Sequence, residues 1–463
     1  MTQPASLPSV PRLRAATTPI GDPGRLQDFL PATGASAWFH REASGASGRV
    51  LGEASGASGR GPREDGVIGI GEAARCEVDS LAEADAWWRA VVAAMPENLG
   101  GDDLPSGVGP LAFGSFTFDR DHTARRSVLV VPSLVIGRRD GRHWLTRIGP
   151  AELPLPAPEL PPRTAAPVGP GEVSWSDGAM SGPEWEEAVA TAVHRITGGH
   201  LQKVVLARDI VATTPDRIDP RWLVDRLGPR YPRCWTFWVD DMVGATPEML
   251  VRVDQGLVTS RVLAGTIWRG AMGPKRRSSG ETGQRGVEDT LSSRAIAEVL
   301  SQSEKNLGEH TLAVESVARA LAPYSTSMNV PETPYVLELP NVMHLATDVN
   351  AAVRPGTTAL ALAAALHPSA AVCGTPTDVA RATIAEIEGL DRGRYSGPVG
   401  WIDAQGNGEW AIALRCGRLL PDGHSMELFA GCGIVADSEP ANELAESTAK
   451  LVAMRDALEE QQD

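Results

Sequence analysis

The sequence predicts an α+β protein built on large antiparallel sheets, and two observations lead there. From Leu201 onward strand-like segments follow one another in series, LQKVVLARDIVA, CWTFWVDDMVGATP, EMLVRV and LVTSRVLAGTIW, linked by turns. Helical periods stand before and after these runs. They do not alternate with the strands one for one, which argues against a parallel βαβ sheet.

Taken in order, residues 1–65 read as a disordered arm with a low-complexity insert. The first 35 or so are rich in Pro, Ala and Thr, and EASGASGR at Glu42 to Arg49 recurs at Glu53 to Arg60. Such a Gly/Ser/Ala repeat is typical of a flexible insertion and carries no chemistry. Residues 66–175 read as the N-terminal part of the fold. Residues 81–95 have a helical period, residues 110–118 alternate like a strand, and residues 127–148 form a hairpin turning at Asp140-Gly141. Gly69-Ile70-Gly71 has only a faint likeness to a dinucleotide loop, with no strand–turn–helix and later acid to support it. A Pro-rich crossing segment at 150–175 follows.

Residues 176–458 form the region that carries the chemistry. A helix begins after Ser181 and stops at Gly198-Gly199. After the strand series, residues 268–290 read as a polar, Gly-rich loop, and Leu291 to Leu321 as one long helix. YVLELPNVMHLATDVNAAV is strand-like. Residues 356–366 and 377–388 are helices around a His367-Pro368 turn, and a hairpin turns near Gly406-Asn407-Gly408.

Composition narrows the function. With 463 residues and 42% hydrophobic content, the chain can bury a substantial core. A net charge of −15 argues against a nucleic-acid or anionic-membrane partner. It leaves room for a small anionic substrate, because a local cation reverses the field inside a cleft. The five cysteines are an odd number without a CxxC pair, which fits a reducing cytoplasm and no structural zinc. MTQPASLPSVPRLRAATTP lacks the apolar core of a signal peptide, and no stretch approaches a membrane span. The expectation is a cytoplasmic protein and a monomer.

The stretch Leu428 to Leu451, LFAGCGIVADSEPANELAESTAKL, is the richest. An apolar run leads into a glycine turn, Gly431-Cys432-Gly433. A loop through Pro440 then opens a helix carrying Glu443, Glu446 and Lys450. Spacings of three and four place these side chains on one helix face. That stripe is either a solvated face with internal ion pairs or half of a cation site, since paired carboxylates hold hard cations.

QKVVLAR, GATPEMLVR, LAGT, EKNLGEHTLAV, MHLAT, HPSAAVCGTP, YSGPVGW, ALRCGRL and the C-terminal stretch, in this order over residues 183–455, resemble the chorismate-utilising enzymes. That group contains isochorismate and salicylate synthases and the large subunits of anthranilate and aminodeoxychorismate synthase. The N-terminal third matches loosely, through Phe113 to Phe118. The resemblance implies antiparallel sheets packed as a sandwich with helices outside. It implies chorismate as substrate and Mg²⁺ as cofactor.

Residue by residue, the resemblance makes Glu309 and Glu446 the magnesium carboxylates, with Glu443 as an outer or water-mediated ligand. Hard oxygens from two helices leave positions for water and a substrate carboxylate, as Mg²⁺ favours. Read alone, Glu309 is equally an ion pair with Lys305. Asn306 stands where the family often has an acid, so no metal role is assigned to it. Lys203 resembles the general base for water, a role that desolvation of the amine favours, although a lysine on a strand also reads as solvent-facing. Glu248 resembles the general acid at the C4 hydroxyl, with burial raising its pKa. Arg415 and Tyr395 resemble the clamp on the enolpyruvyl carboxylate. Gly431 would offer backbone N–H, Gly265, Thr266 and His344 would line the ring pocket, and Lys450 would be a further carboxylate partner.

Three features separate the branches. Ala371 stands where the lyase branches carry threonine and isochorismate synthases alanine. His344-Leu345-Ala346-Thr347 resembles the synthase wording more than that of the amine-adding enzymes, and Lys203 is present. Together they imply an isochorismate synthase that transposes water for hydroxyl, in menaquinone or catechol siderophore biosynthesis. The alternatives are a salicylate synthase and a non-catalytic chorismate-binding subunit.

Overall fold

The computed structural model describes residues 8–41, 64–96, 105–268, 298, 300–338 and 342–459. The EASGASGR duplication and the 268–290 loop lie almost wholly outside these residues. Two sheets dominate, one of twelve strands and one of ten, and every strand pairing among the described residues is antiparallel. The largest apolar cluster joins side chains of both sheets, among them Trp38, Phe237, Phe113, Trp401 and Trp410. Helices Gly182–Thr197, Pro220–Arg230, Thr377–Ile387 and Pro440–Leu458 pack against the larger sheet. Leu81–Ala93, Glu304–Leu321 and Ala359–Leu366 serve the smaller one. The expected α+β sandwich with helices outside is the fold observed.

Local sequence explains the elements around the cleft. In helix Gly182–Thr197, Glu184 accepts a hydrogen bond from the Ser181 backbone at 2.8 Å, and Pro183 occupies the first turn. Its buried side chains Trp185, Ala188, Val189, Ala192 and Ile196 fall on one stripe. Strand Lys203–Thr213 pairs with Ser425–Ile434 in a register that sets Val205 opposite Gly433 and Ala207 opposite Gly431. Alternation then sends Val204 and Leu206 into the core shared with the covering helices. Lys203, Val205 and Ala207 face the cleft.

Several expectations are corrected. Residues of the supposed disordered arm form strands Leu13–Pro19 and Ala35–Arg41 of the larger sheet, paired with Arg142–Pro150 and Trp235–Val239. Pro/Ala/Thr-rich composition disguised Leu13–Pro19, and each of the two strands has a partner far along the chain. The 127–148 segment is a hairpin only from Leu134 to Pro150, with Asp140 and Gly141 at positive φ in its turn. Ser127–Val131 belongs to the other sheet, and Pro132-Ser133 carries the chain across. The long helix is Glu304–Leu321, with Ser303 outside it. Gly431-Cys432-Gly433 is no turn but the inner part of strand Ser425–Ile434. Its glycines are dictated by what lies opposite them.

Candidate active site

Two of the places where the chain crosses between the sheets lie side by side. Strand Met242–Thr246 of the larger sheet gives way at Pro247-Glu248 to Met249–Asp254 of the smaller one. Gly408–Ile412 of the smaller sheet passes through Ala413-Leu414-Arg415 to Cys416–Leu419 of the larger. The crossings are tied together. The Ile412 N–H donates to the Glu248 carbonyl at 3.0 Å and the Ala245 N–H to the Arg415 carbonyl at 3.1 Å. The Thr246 hydroxyl donates to the Ile412 carbonyl at 2.7 Å. Arg415 holds φ 49°, a left-handed conformation costing a residue with a Cβ about 1–2 kcal/mol. Strain of this kind gathers where a side chain must be aimed.

These crossings open one side of a cleft of about 250 Å³. Lys203, Val205, Ala207, Gly431 and Gly433 contribute from the larger sheet, and Leu263, Ala264, Gly265 and His344 from the smaller. Gly265, at φ 75°, forms a bulge between Ala264 and Thr266, so that Thr266 and not Gly265 pairs with His344. Helix Pro440–Leu458 adds Glu443, Glu446 and Lys450, and loops add Glu248, Ala371, Tyr395 and Arg415. The sequence-predicted residues Lys203, Glu248, Gly265, His344, Ala371, Tyr395, Arg415, Gly431, Lys450, Glu443 and Glu446 therefore all line one cleft. The side chains of Thr266 and Glu309 lie outside the described residues.

Both glycines of strand Ser425–Ile434 make room. A Cβ on Gly433 would come 2.9 Å from Lys203 Cε, and one on Gly431 3.2 Å from the Tyr395 hydroxyl. Gly431 acts in the structure through its carbonyl, which accepts from Lys450 Nζ at 2.8 Å. The same Nζ lies 2.6 Å from Glu446 Oε1. Tyr395 stacks on Phe429 with centroids 4.9 Å apart.

Electrostatics sort the groups. Burial pushes the Glu248 carboxyl up to about 7, and Lys203, Arg415 and Lys450 pull against that rise. His344 is pushed down to about 3 by burial first, then by Arg415 and Lys450, so its ring is neutral near pH 7. Burial raises Glu443, while its bond from Ser438 at 2.8 Å works the other way. An acid that titrates near neutrality beside a lysine is the arrangement that proton transfer needs.

The cluster Cys432, Glu443 and Glu446 brings one potential ligand atom from each residue within 4.8 Å of the others. The two carboxylates are hard oxygen donors suited to Mg²⁺. The Cys432 thiol is soft, raised by burial, and donates to the Glu443 carbonyl at 3.4 Å. The donor set thus fits a hard cation through Glu443 and Glu446.

Sequence reasoning passed over Arg392 and Ser396, which also line the cleft, and His310. His310 is buried between Ala264 and Thr347, at 3.2 and 2.7 Å, and ties helix Glu304–Leu321 to the smaller sheet. Its place beside Glu309 in an otherwise amphipathic helix was the one available signal.

A family model described as chorismate binding enzyme matches residues 169–459. Isochorismate synthase DhbC of Bacillus subtilis is 38% identical over 287 residues, 59% of this chain and 67% of that protein. Isochorismate synthase MenF of the same organism is 33% identical over 380 residues, 76% of this chain and 75% of that one. Several further relatives are matched over 59% to 66% of their own length. The solved structure of MenF, the menaquinone-specific isochorismate synthase from Escherichia coli, superposes with a TM-score of 0.73. It is 22% identical and the match covers 98% of this chain and 96% of that one, a likeness of fold. With more than half of its length matched by the family model, and with the cleft residues assembled as described, this chain belongs to the chorismate binding enzyme family.

Proposed function

We propose that this protein converts chorismate to isochorismate with Mg²⁺ as cofactor. The observation that carries the reading is the convergence of Lys203, Glu248, Arg415 and the Glu443–Glu446 pair on one cleft. The isochorismate synthase relatives support it. Lys203 takes a proton from the water that attacks C2. Glu248, protonated below about pH 7, gives its proton to the C4 hydroxyl as that group leaves as water. One water enters, one leaves, and the double bonds shift between. Arg415 and Tyr395 hold the enolpyruvyl carboxylate, the guanidinium being suited to a two-pronged contact. Glu446 and, on the family resemblance, Glu309 would hold the metal, with Glu443 as an outer or water-mediated ligand of that ion. Its charge, when bound, offsets that of the ring carboxylate and withdraws electron density from the diene. Incubation with chorismate and Mg²⁺, followed by product identification, tests the reading. Isochorismate as the main product is expected, salicylate with pyruvate would mean a salicylate synthase, and unchanged chorismate would mean a binding subunit.

Two variants probe the cleft. Gly433→Ala puts a methyl 2.9 Å from Lys203 Cε and forces that arm aside. Turnover is expected to fall on the order of 10-fold to 10²-fold with little change in Tm, because a small misplacement of a reacting group is costly. An unchanged rate would show that Lys203 has other room. Ala371→Thr adds a hydroxyl and a methyl at the cleft wall. The expected result is lower turnover and a larger share of pyruvate and salicylate, through a changed seat for the enolpyruvyl ether. If only the rate falls and the product ratio stays, threonine merely overpacks the site, at about 1–3 kcal/mol.

A further inference from the structure

One buried ion pair, whose Arg392 lines the cleft, has no part in the chemistry above. Glu388 ends helix Thr377–Ile387 and Arg392 follows in the loop, 1% and 5% exposed. Arg392 Nε and Nη2 donate to the two Glu388 carboxylate oxygens at 2.6 and 2.5 Å. The spacing of four resembles a helix-surface pair, but the geometry is that of an interior fork.

What the fork holds is more telling. Arg392 Nη2 also donates to the Val205 carbonyl at 2.6 Å, and Nη1 donates to the Val372 carbonyl at 3.1 Å. Glu388 Oε2 accepts from the Ala207 N–H at 2.8 Å. The pair therefore grips the Lys203 strand at two points, two and four residues beyond the lysine. It grips the cleft loop immediately after Ala371. The Phe118 ring lies under the guanidinium, 4.3 Å from its carbon. Burying an ion pair is expensive, and an apolar pair of similar volume is often as stable. Stability alone does not account for it.

We infer that Glu388 and Arg392 are positioning residues that fix the Lys203 strand against the Ala371 loop and so hold the lysine where it meets its water. The inference rests on the proposed reaction for Lys203. The fork is geometrically demanding. Lysine in place of Arg392 keeps a charge but cannot hold both carboxylate oxygens and two carbonyls in one plane.

The test uses the full chain with chorismate and Mg²⁺, in Glu388→Gln and Arg392→Lys, each alone and combined with Lys203→Ala. Either single variant is expected to lower kcat by roughly 10-fold or more with KM within about twofold, since the strand is misplaced and the substrate contacts remain. In the Lys203→Ala background the same changes are expected to cost almost nothing further. Amide hydrogen exchange over residues 203–207, which needs no turnover, should quicken in both variants more than exchange elsewhere in the chain, with Tm falling further in Glu388→Gln, which leaves the buried guanidinium without its carboxylate. Should Glu388→Gln unfold the chain, Arg392→Lys carries the test. Parent-like kcat in a folded variant, or an equal loss with and without Lys203, overturns the inference. A parent that leaves chorismate unchanged refutes the proposed reaction instead, and unaltered exchange at 203–207 in the variants then refutes the clamp as well.

Discussion

Glu248→Gln is expected to lower kcat by about 10²–10⁴-fold while the chain remains folded. The amide keeps the shape of the acid and removes its proton. In the parent, kcat/KM should fall above about pH 7, because the acid must be protonated to act and burial holds it near that value. The variant should lack this limb. Stability moves in the same direction. The fold raises this carboxyl from an ordinary 4.5, so the native state binds the proton more tightly than the unfolded chain. That contribution is complete below the unfolded value and is lost as pH rises through about 7. Glutamine mimics the protonated form at every pH, so Tm of the variant relative to the parent should climb on going from mildly acidic to mildly alkaline buffer. Lys203→Ala should cost a similar factor in rate. The double variant should lose far less than the product of the two, as groups acting in one step do. Strictly multiplicative losses would assign them to separate steps.

Glu446→Gln is expected to abolish nearly all activity and to weaken Mg²⁺ binding, read by titration calorimetry, without unfolding the protein. The carboxylate is engaged by Lys450 at 2.6 Å, so a metal bound at that oxygen would displace the ammonium. Glu443→Gln should weaken the metal by about 10–100-fold, the range found when a supporting group is lost. Glu309→Gln belongs to the same set on the family resemblance and should match Glu446→Gln. Normal Mg²⁺ affinity and normal rate in Glu446→Gln would remove this helix from the metal site.

The helix that carries these acids was legible because its chemistry is local. Glu443, Glu446 and Lys450 share a face by spacing alone, and Pro440 marks the first turn. The α+β class was legible too, since strands such as Lys203–Thr213 carry their β-branched and apolar residues within a short run. What misled was everything fixed from across the fold. Gly431 and Gly433 look like a turn in one dimension, and only the approach of Lys203 and Tyr395 shows why a strand needs them. Strand Leu13–Pro19 has little apolar pattern of its own. It is held by pairing with Arg142–Pro150, down to a Thr17–Thr146 hydroxyl contact at 2.9 Å. Glu388 and Arg392 look like a solvated pair until their burial is seen.

The place of strand Ala35–Arg41 has a consequence during synthesis. One neighbour, Glu64–Ile70, leaves the ribosome soon after it, but the other, Trp235–Val239, is about 200 residues away. At about 5–20 residues per second, that delay is roughly 10–40 s. Throughout it, a row of unpaired N–H and C=O groups flanked by Trp38 and Phe39 waits as an open edge, a template for pairing with a neighbouring nascent chain. The newborn polypeptide is thus most vulnerable before Trp235–Val239 is made, and slowing translation between these two segments should lower the soluble yield more than an equal pause after Val239.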